Sequence, residues 1–311
     1  MALSEFGLIA RFFTQPLKNA VNQLGIGDDC ALLSIPAGYQ LAVTTDTMVE
    51  KVHFFPDVSP YDLGHKLLAV NLSDLASMGA QPVAVTLALT LPCINEAWLT
   101  DFSAGFLALA KKHNVDLIGG DTTQGHLTLT VQAFGLVPKA CALLRSTAQI
   151  GDWIYVTGTV GDAGLGLKIK QGYVCDNPSE ALLQFNQPQP CVAEGLAIRP
   201  FAHACIDISD GLAADLGHIL EKSAVGASVD YDLLPLSAPV QRYIEQTGDW
   251  ALPLTAGDDY QLCFTVSPEN APLLPIACQK IGQIEAESGL RIQRMQQIIT
   301  LQATGYEHFS G

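Results

Sequence analysis

Apolar and polar positions in the first half of the chain form two kinds of pattern: short apolar runs and longer segments with helical spacing. The pattern predicts strands at residues 39–48, 83–91, 115–121 and 127–137 and helices at residues 59–82 and 95–114. Ser59 is placed to cap the first helix before Pro60, and Gly79 and Pro82 are placed to end it. The predicted buried stripe of this helix consists of Leu63, Leu67, Val70, Leu75 and Met78.

A change of composition near residue 140 divides the chain. Residues 138–152 contain Pro and Gly and little periodicity, so we predict one domain at residues 1–140 and a second at residues 141–311. The second part continues with a strand, a glycine-rich loop and a helix over 153–169, a strand entering a turn over 203–211, a helix over 212–223 and a turn entering a strand over 254–266. Strands mixed with helices in both parts predict an α/β fold.

The charge balance narrows the choice of ligands. The chain has 311 residues with 16 Lys and Arg against 31 Asp and Glu, for a net charge of −15. Such acidity argues against a nucleic-acid backbone as the main ligand, but an anionic small molecule is acceptable if a cation lies between. No run approaches the roughly 18 apolar residues of a membrane span. Glu5 and Arg11 interrupt the first apolar stretch, so we expect no signal peptide and no membrane partner.

Eight cysteines are scattered along the chain, and no two have C-x-x-C spacing. This pattern indicates neither a zinc knuckle nor a redox dithiol. We expect reduced, mostly buried thiols in a cytoplasmic protein.

Aspartates recur beside Gly, Ser or Thr next to apolar runs. The positions are Asp28, Asp29, Asp46, Asp74, Asp121, Asp207, Asp210, Asp258 and Asp259. Each one alone is typical of a turn or an N-cap, but turns would use Asn and Ser as readily. If several converge, like charges raise their pKa values, and a divalent cation relieves the repulsion. Oxygen ligands without His or Cys favour Mg²⁺ or Ca²⁺.

Other nucleotide and metal motifs match poorly. Counted from Asp207, an EF-hand loop would have Gly211 at its fifth position and His218 at its twelfth. No Walker A loop is present, and the nearest stretch, residues 158–168, has Leu167 after its glycine instead of Lys. We interpret that stretch as a strand-to-helix turn, with a phosphate cradle as the alternative. The helix that follows Asp210 offers N–H groups that are able to receive phosphate.

Asp74 is the most informative acid, because Asp is a poor former of the helix in which it lies. Asn71 lies three residues earlier on the same face and makes a polar spot on an apolar helix. The alternative is a solvent-facing Asp.

Nine stretches follow the order and spacing of one known family from about residue 4 to residue 309. They are "GIGDDCALL", "TTDTMVEKVHF", "LAVNLSDLASMGAQP", "LIGGDTT", "LLRS", "GDWIYVTGT", "IDISDGL", "AGDDYQLCFT" and "GYEHF". With these motifs the chain resembles the thiamine-monophosphate kinase family. "NLSDLASMGA" and "IGGDTT" are similar to the wider superfamily, which includes aminoimidazole ribonucleotide synthetase and selenophosphate synthetase.

The resemblance implies an α/β fold with mixed sheets in two domains, like aminoimidazole ribonucleotide synthetase. The N-terminal domain would bind ATP and Mg²⁺ and pair its sheet with a second subunit in a homodimer, and a C-terminal α/β domain would cover the site. The implied reaction is the ATP-dependent phosphorylation of thiamine monophosphate to thiamine diphosphate, with ATP as co-substrate and several Mg²⁺ ions as cofactors.

The resemblance also assigns site residues by motif. The implied Mg²⁺ ligands are Asp29, Thr44, Thr45, Asp46, Asp74, Asp121, Asp207 and Asp210. The implied ATP contacts are Gly120, Asp121, Arg145 and Ser209, and the implied thiamine-phosphate contacts are His53, Asp258 and Tyr306. Two positions depart from the family, which usually has Glu at Asp258 and a small residue at Lys51. The first departure affects a substrate contact, and Lys51 either alters the charge near the acceptor phosphate or points to solvent.

We expect direct transfer without a covalent catalytic residue. The phosphate oxygen of the acceptor is already ionised near neutral pH, so positioning and charge neutralisation carry the reaction. Arg145 either adds a fixed positive charge or pairs with a surface acid, and Tyr306 either stacks on the thiamine ring or lies in the core. Three other functions remain open from the residues: an enzyme of the superfamily that forms an aminoimidazole ring, a non-catalytic sensor of metal or nucleotide, and a structural protein stabilised by Ca²⁺.

Overall fold

The computed structural model describes residues 4–299 and residue 301. Its contacts divide the chain into two compact units. The first unit comprises Met1–Leu75 and Ala80–Ala140, and the second comprises Ala76–Gly79 and Cys141–Gly311.

The first unit is built on one mixed sheet and the helices around it. Its elements are α1 (Glu5–Phe12), β1 (Asn22–Leu24), β2 (Leu32–Leu33), β3 (Tyr39–Val49), α2 (Pro60–Ser77), β4 (Gln81–Leu91), α3 (Glu96–Lys112), β5 (Asp116–Gln124) and β6 (Thr128–Pro138). Within the described residues of this unit, four strands pair in the order β3-β6-β4-β5, and β1 pairs separately with β2. β4 and β5 run parallel, because α3 connects them, and the other pairs of the sheet are antiparallel.

Helix α2 is the buried centre of the first unit. The Ser59 hydroxyl accepts the N–H of Asp62, as predicted for an N-cap. Burial is broader than the predicted stripe, because every residue from 63 to 73 is buried. Met78 is only half-buried. A Cβ on Gly64 would lie 2.2 Å from the carbonyl oxygen of Phe102, so the close approach of α3 leaves no room for a side chain there.

Helix α2 ends earlier than its pattern predicts. The helix stops at Ser77, and Gly79 takes a positive φ of 62° that turns the chain. Pro82 therefore does not end the helix but lies in β4, where the pairing with β6 shifts register between Pro82 and Ala84.

The second unit has a larger mixed sheet. Its elements are β7 (Trp153–Val156), α4 (Asp162–Lys170), α5 (Ser179–Asn186), α6 (Val192–Ile198), β8 (Ala202–Asp207), α7 (Leu212–Ser223), β9 (Gly226–Asp230), α8 (Ala238–Thr247), α9 (Leu252–Thr255), β10 (Leu262–Val266), β11 (Gln279–Glu285), β12 (Gly289–Arg294) and β13 (Gln297–Ile299), with 3₁₀ turns at Tyr231–Leu233 and Ala271–Leu273. Among the described residues of this unit, seven strands pair in the order β13-β12-β9-β11-β7-β10-β8.

The sheet of the second unit packs against α7, whose helix covers residues 212–223 as the pattern predicts. Leu212, Leu216 and Ile219 of α7 share a buried cluster with Ile206 of β8 and Cys263 of β10. This packing fixes the end of β8 and the start of α7, and so the loop between them. The predicted α/β class with mixed sheets is confirmed in both units.

The cysteines differ from the prediction of mostly buried thiols. Cys191, Cys205 and Cys263 are buried, but Cys30, Cys93 and Cys141 are exposed. Within the described part of the chain, no helix combines the length and the apolar character that crossing a membrane requires.

Candidate active site

Two acids of the first unit meet where β3 lies beside α2. The hydroxyl of Thr44 donates a hydrogen bond to Asp74. The backbone N–H of Asp46 donates to Oδ1 of Asn71, at 3.2 Å. Strand alternation places Thr44 and Asp46 on one face of β3, both half-buried. Thr45 lies on the opposite, exposed face, so its side chain does not join this group.

The two carboxylates repel each other. The pKa of Asp46 is raised from 3.8 to about 7, first by burial and second by the charge of Asp74. Both causes disfavour the ionised carboxylate, and a bound cation would oppose both. Asp74 is therefore not the solvent-facing alternative, because it is half-buried and bonded to Thr44. Carboxylate and hydroxyl oxygens form a donor set that fits Mg²⁺.

A cavity of about 740 Å³ opens in the first unit. Asp29, Gly120 and Asp121 line it, together with Asp28 and Glu5. Apolar side chains form most of its other walls, including Phe6, Ile9, Phe13, Leu33 and Phe134. A cavity of this volume accepts a small organic ligand. Its acidic and apolar walls suit a ligand that has an apolar ring at one end and a bound cation at the other.

Gly120 fixes the position of Asp121. Its φ is +152°, and a Cβ there would lie 1.9 Å from the carbonyl oxygen of Leu87 on β4. Only Gly permits this approach of β5 to β4. Gly120, Leu87, Val131 and Asp46 occupy one row across the four strands. Three strand spacings of about 4.8 Å therefore separate Asp46 from Gly120 along the sheet.

His53 lies just after β3, in a turn. Its Nδ1 accepts the backbone N–H of Val49, at 3.0 Å. A neutral imidazole with this bond carries its proton on Nε2, which sets the ring as a donor. Lys51, in the same turn, is exposed and has a φ of 68°. Its side chain belongs to the surface, which fits the second of the two interpretations of this departure.

The second unit gathers its candidates on two loops. Asp207, at the end of β8, is buried, and Ser209 and Asp210 follow it, half-buried. The carbonyl of Ser209 accepts the N–H of Asp258, at 2.9 Å, and the carbonyl of Ile208 accepts the N–H of Tyr260, at 2.8 Å. These bonds hold the loop after β8 against the loop before β10.

Asp258 itself has a constrained backbone and a fixed side chain. Its φ is +69°, which is uncommon for a residue other than Gly. The hydroxyl of Tyr260 donates to Oδ1 of Asp258, at 3.0 Å. The carboxylate of Asp258 is thus oriented from its own loop, and the shorter side chain at this position still has a defined direction.

In the second unit, the carboxylates of two buried acids accept hydrogen bonds from backbone N–H groups. Oδ2 of Asp215 accepts from Ser209, Asp210 and Gly211, at 3.0, 3.0 and 3.2 Å. Burial raises its pKa to about 7, although the bonds from Asp210 and Ser209 oppose the shift. These three N–H groups are therefore already used. Asp210, Asp215 and His218 each offer one ligand atom, and these atoms lie within 4.8 Å of one another.

Asp259 occupies the glycine-rich turn before α4. Its carboxylate accepts the N–H groups of Gly161, at 2.7 Å, and Ala163, at 3.3 Å. Burial raises its pKa to about 8, and the bonds from Gly161 and Ala163 partly offset the rise. Asp162 bonds the hydroxyls of Thr159 and Ser237. Because Asp259 already accepts two N–H groups of this turn, the structure favours the strand-to-helix interpretation over the phosphate cradle.

Arg145 is exposed, and its carbonyl accepts the hydroxyl of Ser223, at 2.9 Å. Its charge acts to lower the pKa of Asp215, so it lies near the loop after β8. Tyr306 lies outside the described residues.

Asp215 and Asp259 were not among the predicted site residues. A signal for Asp215 was present, since an Asp in the first turn of a helix is placed to bond N–H groups near the helix start. Asp259 stands beside Asp258 in the stretch "AGDDY", and nothing in the sequence distinguishes which of the two acids faces the turn before α4.

Comparison with known proteins gives consistent matches. Residues 27–137 match the model of the AIR synthase related protein, N-terminal domain, and residues 149–294 match that of its C-terminal domain. A thiamine-monophosphate kinase from Escherichia coli (strain K12) is 47% identical, over 100% of this chain and 99% of its own length.

Solved structures agree with these matches. The thiamine-monophosphate kinase of Stenotrophomonas maltophilia K279a superposes with a TM-score of 0.85 at 44% identity, covering 94% of this chain and 97% of its own. AaThiL complexed with AMPPCP and TMP gives a TM-score of 0.80 at 28% identity, covering 99% of this chain and 97% of its own.

Proposed function

This chain belongs to the thiamine-monophosphate kinase family, and we propose that it transfers the γ-phosphoryl group of ATP directly to thiamine monophosphate with several Mg²⁺ ions in its site. The reaction, ATP-dependent formation of thiamine diphosphate, follows from the curated relatives and from the AaThiL complex with AMPPCP and TMP. The direct course of the transfer and the role of Mg²⁺ are the steps that we add.

The observation that carries the Mg²⁺ proposal is the pair of half-buried acids Asp46 and Asp74. Each carboxylate disfavours the ionised form of the other, and the pKa of Asp46 is raised to about 7. A bound cation would explain why two acids that repel each other lie together beside a hydroxyl. We assign Asp29, Thr44, Thr45, Asp46, Asp74 and Asp121 in the first unit and Asp207 and Asp210 in the second as ligands. The side chain of Thr45 lies on the opposite, exposed face of β3, so its assignment rests on the motif alone.

Mg²⁺, when bound, neutralises phosphate charge and orients the two phosphate chains. The residues of the chain then have two tasks, to bind ATP and to bind thiamine monophosphate. The cavity lined by Gly120 and Asp121 receives ATP, and we assign Arg145 and Ser209 as ATP contacts by their motifs. His53, with its Nε2 donor, and Asp258 bind thiamine monophosphate, and Tyr306 completes that set. Positioning of the two anions supplies the catalysis, so no covalent intermediate on the protein is needed.

The first unit also has a surface suited to a second copy of the chain. β3 is an edge strand of the sheet, and Tyr39, Leu41 and Val43 on its outer face leave 42, 38 and 52% of their surface exposed. A long edge strand with exposed apolar side chains invites pairing. We propose a homodimer through this sheet. Val43→Lys should yield monomers by sedimentation velocity, and an unchanged dimer would place the interface elsewhere.

We assign residues 1–140 to ATP and Mg²⁺ binding and to dimerisation, and residues 141–311 to a C-terminal α/β domain. The substrates, ATP and a phosphorylated vitamin, are intracellular metabolites, so we propose a cytoplasmic location. Neither a nucleic acid nor a membrane is proposed as a partner.

The test is a product assay on purified protein with ATP, Mg²⁺ and thiamine monophosphate. Thiamine diphosphate should form, and Asp74→Asn should abolish most of it while binding of thiamine monophosphate remains. With chiral γ-phosphate the product should show inversion, because one direct transfer inverts phosphorus. Net retention would contradict direct transfer. Tight ATP binding without product would instead indicate a nucleotide sensor.

A further inference from the structure

The loop after β8 is short, and it carries two assigned site residues. Asp207 ends the strand, Ser209 and Asp210 follow, and α7 begins at Leu212. Ile208 anchors the start of the loop in the buried cluster of the second unit, whereas Ser209 and Asp210 are only half-buried. The placement of Ser209 and Asp210 therefore also depends on the hydrogen bonds of the loop.

Three consecutive N–H groups of the loop point at one oxygen. Oδ2 of Asp215 accepts from Ser209, Asp210 and Gly211, at 3.0, 3.0 and 3.2 Å. Asp215 is only 2% exposed, and it stands in the first turn of α7. Hydrogen bonds to a carboxylate are stronger than those between neutral groups. A buried helix residue thus fixes the backbone on which two site residues lie.

The same loop supports another site residue, Asp258. The carbonyl of Ser209 accepts the N–H of Asp258, at 2.9 Å, so Ser209 is bonded to Asp215 on one side and to Asp258 on the other. The carbonyl of Ile208 accepts the N–H of Tyr260, at 2.8 Å, and adds a further link. The position of Asp258 therefore depends on the loop that Asp215 holds.

We propose that Asp215 is a positioning residue of the kinase reaction. It holds Ser209 and Asp210 in the arrangement that binds ATP and Mg²⁺, and through Ser209 it sets the place of Asp258. Its carboxylate contacts backbone N–H groups and does not need to touch either substrate. This role rests on the function proposed above for Ser209, Asp210 and Asp258.

The first readout requires neither metal nor substrate. Hydrogen exchange of the peptide containing residues 209–211 is measured by mass spectrometry in the protein alone, for wild type, Asp215→Asn and Asp215→Ala. Loss of a charged acceptor should speed exchange at these amides by about 10- to 100-fold. Asn retains one oxygen acceptor, so its effect should be smaller than that of Ala.

The second readout separates positioning from simple loss of stability. In Asp215→Asn, the Mg²⁺ concentration for half-maximal activity should rise about 10-fold or more, as is typical when an outer residue that orients ligands is lost. A residue that only stabilises the fold would reduce the active fraction and leave the half-saturation unchanged. The KM for ATP should rise in parallel, because Ser209 moves with the loop.

Asp116→Asn is the matched control. Asp116 is also buried, and its carboxylate accepts the N–H groups of Lys18 and Asn19, at 3.0 and 2.8 Å, and Nδ2 of Asn22, at 2.9 Å. It holds a loop that carries no assigned site residue. This variant should speed exchange around residues 18–19 and leave the Mg²⁺ half-saturation unchanged.

Unchanged exchange at residues 209–211, or unchanged Mg²⁺ half-saturation in a folded Asp215→Asn, would overturn the positioning role. Failure of the proposed function is distinguishable, because wild type would then form no thiamine diphosphate, while the exchange experiment would still report whether Asp215 holds the loop.

Discussion

The two units both contain aspartates with raised pKa values, but these acids differ in their surroundings. Asp46, in the first unit, lies beside Asp74, and both causes of its pKa shift raise the pKa. Asp215 and Asp259, in the other unit, are also shifted upward by burial and by neighbouring acids, but backbone N–H groups bond them and oppose the shift. A raised pKa alone therefore does not identify a metal site. What opposes the shift does: an acid whose pKa is only raised, by burial and by another acid, calls for a cation, whereas an acid that accepts backbone N–H groups holds a loop.

We expect the largest effect from Asp46→Asn, which tests whether Asp46 belongs with the acids that call for a cation or with the acids that hold a loop. Activity should fall on the order of 100- to 1,000-fold, because the variant loses a charge that holds the cation near the phosphates. The metal-free protein should nevertheless become more stable above pH 7. There the ionised Asp46 is disfavoured in the folded state, and Asn removes that cost. Calorimetry at pH 8 should show a melting temperature higher by roughly 2 to 4 °C.

For Asp116→Asn we expect the reverse of the changes in Asp46→Asn. Its carboxylate faces N–H donors, so Asn should lower the melting temperature and leave activity near that of wild type. If Asp46→Asn also melted lower than wild type, Asp46 would belong with the acids that hold loops, and the comparison between the two classes would fail.

The next effect tests the backbone that carries Asp121. Gly120→Ala would place a Cβ 1.9 Å from the Leu87 carbonyl oxygen at a φ of +152°. The strand pair must shift, at a cost of roughly 2 to 4 kcal/mol in the free energy of unfolding. ATP binding should weaken in the same variant, because Asp121 moves with its neighbour. Denaturant unfolding and nucleotide titration measure the two effects.

Gly119→Ala is the control for this strand. Its nearest neighbour would be Cγ2 of Thr86 at 3.7 Å, an ordinary contact. Stability should change by less than about 1 kcal/mol. Equal losses in both variants would show that the strand tolerates no side chain at all, and that Gly120 has no special relation to Asp121.

The sequence predicts much of the fold where apolar periodicity is strong. α7 covers its predicted residues, and β3 and β6 differ from theirs by one residue. The sequence pattern does not predict β9, β11, β12 and β13. These strands are short, and all but β13 join the sheet by pairing with strands that lie far from them in the sequence. Their order depends on contacts between residues far apart in sequence, which local patterning does not encode. The broad burial of α2 over residues 63–73 is missed for a related reason, since neighbours cover its polar side.

The candidate site is predictable in part. Motif resemblance selects the acids, and the structure brings Thr44, Asp46 and Asp74 together in one unit and Ser209, Asp210 and Asp258 onto joined loops. Resemblance does not identify Asp215 and Asp259. The N–H groups that Asp259 accepts become its neighbours only when distant loops pack, whereas those that Asp215 accepts lie just before it in the sequence. Nor does resemblance say that Thr45 faces away from Asp46, which follows once β3 is known to be a strand through both residues.

A smaller effect concerns the pH dependence of Mg²⁺ binding. A proton on Asp46 must leave before Mg²⁺ binds, and the pKa of this group is about 7 in the absence of metal. Mg²⁺ affinity should therefore rise about 10-fold between pH 6 and pH 8 and level off above. Calorimetry in two buffers of different ionisation enthalpy should detect proton release at pH 6.5. Asp46→Asn should lose that release, and a release of the same size in the variant would assign the proton to another group.

The smallest expected effect concerns Asp259, whose pKa is raised from 3.8 to about 8 in the folded protein. A carboxyl with a raised pKa binds its proton more tightly in the folded state. Its contribution to stability is therefore complete below about pH 4 and disappears as pH rises through about 8. Between pH 7 and pH 9 the loss should be about 1 kcal/mol, or roughly 2 to 4 °C in melting temperature. Asp259→Asn keeps an oxygen for Gly161 and cannot ionise, so its melting temperature should fall less over the same range. Parallel curves for wild type and variant would mean that the bonds from Gly161 and Ala163 keep Asp259 ionised throughout, and burial would then not dominate at this acid.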